Sequence, residues 1–269
     1  MERYRLKNII ILILVLVNVF LLASLAFRKT AEHSAQRQAT EQLVALFAAD
    51  EIALSSDIIS HQSPPSPCTL TRNTELDREV ALFLLGSGVS YSDQGGGIYT
   101  YTSPSGSALF RANGSFDAAG TLTTEHVTDF CRNFCQEFSY STPSFQLDEN
   151  GSGTAVAYFQ YNDLPVFNCA VTFTIDHGKL LTVSGTLLPT SGSAVSSSQS
   201  PLSSSAALTA FLQMRRETAA AVSSVTDIYL CYELQSTASA SMTLSPSWCI
   251  VTDTAKYYVN SITGLVSTI

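Results

Sequence analysis

The sequence predicts an α+β protein: an N-terminal single transmembrane helix, then an extracytoplasmic region of two related helix-plus-antiparallel-sheet units. Three observations predict it. No residue from Ile9 to Phe27 is charged, and Asn8–Phe27, rising about 1.5 Å per residue, matches the ~30 Å hydrocarbon core of a bilayer. Downstream, a helical stretch followed by alternating strands occurs twice. The composition is 45% hydrophobic but only 13% charged. That supplies a core while leaving a Ser/Thr-rich surface of extracytoplasmic type.

In chain order, residues 1–7 are expected as a cytoplasmic tail and 8–27 as the transmembrane helix. Arg3, Arg5 and Lys7 precede the apolar run and Arg28 and Lys29 follow it. With the free amino terminus, this bias keeps the N terminus inside. The alternative is a cleaved signal peptide, with Ser24 and Ala26 as the small residues at the cut. The length of the apolar run and the Arg28-Lys29 pair favour a retained anchor. Asn18 sits in the middle of the run. On a helical wheel it shares a face with Ile11, Leu14, Val15, Leu22 and Leu25. An amide in hydrocarbon prefers a hydrogen-bonding partner, so this face is the candidate interface for a second membrane helix. The alternative is an amide bonded back to its own backbone.

Residues 28–60 read as a juxtamembrane stalk, helical to about residue 49, with Ala31, Ala35, Ala39, Leu43, Leu46 and Phe47 at helical spacing. The Pro/Ser-rich stretch Ser60–Cys68 ends it. The first α+β unit is expected over 68–189. It begins with a helix at Glu75–Leu85 closed by Gly86 and continues through Gly-punctuated strands. A helix at Thr124–Phe138 follows, with Val127, Phe130, Cys131, Phe134 and Phe138 on one stripe. The unit ends in strands turning at Asn150-Gly151 and Asp176-His177-Gly178. On the strand before the second turn, Phe167, Cys169, Val171, Phe173 and Ile175 share one face. A Ser-rich linker spans 190–203. The second unit, 204–269, opens with a helix at Ser204–Arg216 and closes with three strands.

The net charge of −8 provides no basic footprint for nucleic acid. His33, His61, His126 and His177 show no metal spacing, and no serine lies in a nucleophile elbow. Neither a metal nor a cofactor is implied. Cys68, Cys131, Cys135, Cys169, Cys231 and Cys249 are even in number. They read as small buried hydrophobes or as disulfides. Cys231 and Cys249 are the candidate pair if their strands adjoin.

The ending LSPSWCIVTDTAKYYVNSITGLV carries Pro246, Trp248, Tyr257, Tyr258, Val259, Asn260 and Gly264. It resembles the C-terminal motif of the YycH/YycI regulatory proteins of Gram-positive bacteria and, more distantly, PepSY-type modules. The basic tail before an Asn-containing membrane helix, LPVFN at Leu164–Asn168 and DIYLCYEL at Asp227–Leu234 fit the same layout. The resemblance implies a non-enzymatic, single-pass regulator of a membrane sensor histidine kinase controlling cell-wall metabolism, with a YycH-like regulator as a candidate further partner. The alternative is a tethered PepSY-type binding or peptidase-inhibitory module.

Overall fold

One long hairpin runs through two separate cores. The structure, a computed structural model, describes residues 17, 18, 20, 37–122, 126–195, 199–236 and 241–268. No helix among these is long and apolar enough to cross a membrane. Ile11, Leu14, Val15, Leu22, Leu25, His33 and Thr124, the expected first residue of a helix, lie outside the described residues. Asn18 is helical and exposed.

The chain is α+β. Helix α1 (residues 37–49) leads into β1 (Ala53–Leu54), a one-turn 3-10 helix and β2 (Cys68–Thr71). Helix α2 (Thr74–Leu85) starts where the Asn73 side chain accepts from the Glu75 amide, with Glu75 and Asp77 in its first turn. This cap satisfies an otherwise orphaned donor, and the carboxylates suit the positive helix end. The helix stops at Gly86, whose φ of +80° continues no helix. A four-strand meander follows: β3 (Ser90–Asp93), β4 (Tyr99–Ser103), β5 (Gly106–Phe110) and β6 (Ser115–Gly120). Next come α3 (Val127–Glu137), β7 (Ser144–Leu147), β8 (Gly153–Tyr161), β9 (Leu164–Asp176) and β10 (Lys179–Thr186). Two two-residue turns set the register of β8–β9–β10. Asn162-Asp163 and His177-Gly178 all have positive φ, the conformation that matches the twist of paired strands.

In space the first sheet runs β7–β8–β9–β10–β6–β5–β4–β3, antiparallel throughout. Helix α3 lays Val127, Cys131, Phe134 and Cys135 on it, and α2 adds Val80, Ala81, Leu84 and Leu85. In the second half, α4 (Ser204–Thr218) precedes β12 (Ser224–Ser236), β13 (Ser241–Thr252), β14 (Lys256–Asn260) and β15 (Val266–Thr268). Ser203 caps α4, and Ala219 ends it in the left-handed region.

The register of β12 on β13 places Ile228, Leu230, Tyr232 and Leu234 opposite Ile250, Trp248, Pro246 and Leu244. This single face divides. Ile228, Leu230, Trp248 and Ile250 join Tyr257, Val259 and α4 in the second core, while Tyr232, Met242 and Leu244 belong to the first. The second core also takes residues from the expected stalk: Leu43 and Phe47 of α1, then Ile52 and Leu54. Leu46, expected on the same stripe, is exposed.

Strand β2, at the start of the expected first unit, hydrogen-bonds to β13 of the second. The expected linker 190–203 is exposed at residues 191–195. There it forms β11 (Ser193–Ala194) against β2. The two sheets join where β9 meets β12 in parallel at Val166 and Tyr232. The Asn168 side chain completes that joint, donating to the Leu234 carbonyl and accepting from its amide, each at 2.8 Å. Phe167, expected on the buried face of β9, is only half-buried. It stacks on Tyr258 at 3.7 Å, since the register of β9 on β8 shifts here and puts Val166 and Cys169, not Phe167, on the buried face.

Candidate functional site

A groove of ≈ 510 Å³ lies between the start of α2 and the β3–β4 hairpin. Thr74, Glu75, Arg78 and Leu82 face it from α2, spaced so that one side of the helix forms a wall. The hairpin register pairs Tyr91 with Tyr101 and Asp93 with Tyr99, so all four project from one sheet face. The Tyr91 ring lies 5.8 Å from Tyr99, nearly parallel, and 5.4 Å from Tyr101. Tyr101 forms the buried floor, whereas Tyr91 is 56% exposed. Burial, then the nearby Asp77 carboxylate, raises the Tyr101 phenol, which stays protonated and able to donate.

Arg72 props this wall from behind. Its guanidinium lies 5.1 Å from the Tyr99 centroid, donates to the Gly97 carbonyl at 2.6 Å and pairs with Asp77 at 2.5 Å. The two paired side chains are 9% and 4% exposed. Burial pushes the Asp77 carboxyl up more than Arg72 pulls it down. Arg72 Nε is buried with no partner, an arrangement that costs about 1–3 kcal/mol. Gly97 has φ +75°, and a Cβ there would press on Ala112 at 3.0 Å, so the hairpin tip requires glycine. Among the described residues, neither Arg78 nor Glu75 has an ion pair or side-chain hydrogen bond, and both are exposed. The groove therefore presents a fixed aromatic wall beside a free donor and a free acceptor. Among the described residues, no histidine, cysteine or serine lines it.

The C-terminal motif builds structure. Trp248 is fully buried and donates its indole N–H to the Leu202 carbonyl at 2.9 Å, tying the end of the linker to the sheet. Tyr257 packs against Phe211 of α4 at 4.9 Å, and Val259 is buried beside it. The Asn260 side chain accepts from the Ile262 and Thr263 amides and donates to Glu233 and Ser245. Gly264, at φ +73°, closes the same turn through its amide to the Asn260 carbonyl. Pro246 stands where the neighbour of β13 changes from β2 to β14. No ladder donor is needed there, and its carbonyl accepts from the Ser261 amide and hydroxyl.

The six cysteines are buried and unpaired. Cys231 and Cys249, the candidate pair, are not bridged. Cys231 faces Ser247 and Cys249 faces Tyr229, so the two are diagonal neighbours. Diagonal Cβ atoms stand about 7 Å apart, too far for a bridge. Burial raises the Cys131 and Cys135 thiols to about 12, which keeps them protonated and unreactive. His126 starts α3 without a side-chain cap bond, and His177 sits in its hairpin turn. The described residues hold no cluster of three or more potential metal ligands.

Sequence reasoning missed the groove. Its tyrosines read there as ordinary strand residues, and Arg72 drew no notice. The available signal was the Tyr-x-Tyr spacing of Tyr99 and Tyr101, eight and ten residues after Tyr91.

No family model matches the chain. No curated protein matches it. Among solved structures, an uncharacterized protein from Eubacterium rectale is similar at 12% identity and a TM-score of 0.45, over 77% of this chain and 86% of that one. The Bacillus megaterium YpeB C-terminal domain is similar at 11% identity and a TM-score of 0.35, over 74% of this chain and 99% of that one.

Proposed function

We propose that this chain is a membrane-anchored, non-enzymatic regulator of a sensor histidine kinase. Residues 8–27 span the membrane with the N terminus in the cytoplasm. Two related α+β units lie outside, the second ending in the YycI-like, PepSY-like motif. One observation carries this reading: the segment that follows the anchor is built into the second core. Phe47 stacks near Phe211 at 6.3 Å, Asp50 pairs with Arg216 at 2.6 Å, and β1 adds to β12 in parallel. Helix α1, held in this way, moves with the outer region; we take it to pass that movement to residues 8–27, so that a change in either biases the packing of the other. A coupling of about 1–3 kcal/mol is enough to shift a signalling equilibrium. Asn18 supplies the polar contact within the membrane.

The test is membrane co-purification of the tagged full chain, wild type against Asn18→Leu, with mass spectrometry of what accompanies it. A sensor kinase recovered with wild type and lost with the variant is the expected result. Recovery of no kinase with either protein overturns the reading. The second reading, a tethered binding module, is favoured by the tyrosine groove. Replacing residues 8–27 with an unrelated membrane helix separates the two. Regulation is abolished if the helix signals and is unaffected if the helix only tethers.

A further inference from the structure

The geometry points to a further site: we infer that the groove between α2 and the β3–β4 hairpin binds a neutral oligosaccharide. This inference stands apart from the kinase reading, since nothing in it depends on the anchor. The Tyr91 ring is 56% exposed and is backed by Tyr99, which in turn meets the Arg72 guanidinium. The platform is thus held in place before a ligand arrives, and tyrosine has few side-chain torsions left to freeze. A pyranose ring offers a flat face of C–H groups to such a surface and hydroxyls at its edge.

The polar groups fit the same chemistry. Arg78 only donates and Glu75 only accepts. The tyrosine and Thr74 hydroxyls do both. A ligand rich in hydroxyls satisfies all of them. An anion would meet Glu75. A cation would meet Arg78. Leu82 and Val89 are the aliphatic members of the lining, too few to form the side-chain pockets that read a peptide. The volume of ≈ 510 Å³ lies within the range of small-molecule sites.

The experiment is isothermal titration of the full chain in a detergent without a sugar headgroup. The probes are chitotetraose and cellotetraose, with a proline-rich peptide as a separate arm. Saturable binding of at least one saccharide is expected. Tyr91→Ala and Arg78→Ala should each weaken it at least tenfold with Tm unchanged, because both side chains are exposed. Tyr91→Phe, which keeps the ring and loses the hydroxyl, should fall between. Three results overturn the inference: no heat from either saccharide, saccharide binding indifferent to both alanine substitutions, or binding of the peptide alone.

Discussion

Around Phe134 in the first core, the rings of Phe83, Phe116, Phe138, Tyr140 and Phe173 lie at 4.8–6.4 Å. Trp248, the largest fully buried side chain, sits in the second core and directs its indole N–H to a carbonyl 46 residues away. One core is filled by aromatic packing on a continuous sheet. The other is laced together by chain segments that arrive from elsewhere, the linker end through the hydrogen bond at Leu202 and α1 through the packing of Leu43 and Phe47. Packing of this first kind depends on volume and area. Lacing depends on partners being present, so the second core is the one that an upstream segment can control.

The largest expected effect tests the packed side. Phe134→Ala should destabilise by the upper part of about 3–5 kcal/mol, since a fully buried ring leaves a cavity. It should appear as a lower Tm together with faster amide exchange in β5, β6, β9 and β10. Equal acceleration in β14 would show that the shared β12–β13 hairpin makes the two cores one cooperative unit, and the contrast would fail.

Phe47→Ala should cost nearer the lower end of about 3–5 kcal/mol and act on the second core. Exchange should rise in α1, α4 and β14 and stay unchanged in β8–β10. An effect confined to α1 would mean that the helix is an appendage. Smaller again is Trp248→Phe. It keeps most of the bulk and strands the Leu202 carbonyl, which should cost about 1–3 kcal/mol and loosen residues 199–203 by the same exchange measurement.

The smallest effect is electrostatic. The hydrogen bond from Arg216, with its charge, holds the Asp50 carboxyl below its usual 3.8. A carboxyl lowered by folding adds stability above 3.8, and loses it as pH falls through the lowered value. Wild type should therefore protect α1 amides better than Asp50→Asn at neutral pH, with the difference closing in strong acid. Arg216 is half-exposed, so the difference should be small and should shrink with salt. A difference that survives in strong acid would locate the coupling in packing alone.

Local chemistry was legible in the sequence. The Phe134 stripe of α3, the stop of α2 at Gly86, and the His177-Gly178 turn follow from periodicity and backbone preference. So did the apolar alternation of β12, with Ile228, Leu230, Tyr232 and Leu234 on one face. Tertiary structure decided which core each of those four enters. It made Cys231 and Cys249 diagonal rather than opposite, turned Phe167 toward Tyr258, and drew Phe47 and Ile52 onto α4. It also gathered the groove, whose tyrosines share a wall only because β3 pairs with β4 in one register and Arg72 returns across the hairpin to Tyr99. Periodicity states which face of a segment avoids water, because that preference belongs to each residue. It does not state what covers that face, because pairing and register depend on segments distant in the chain.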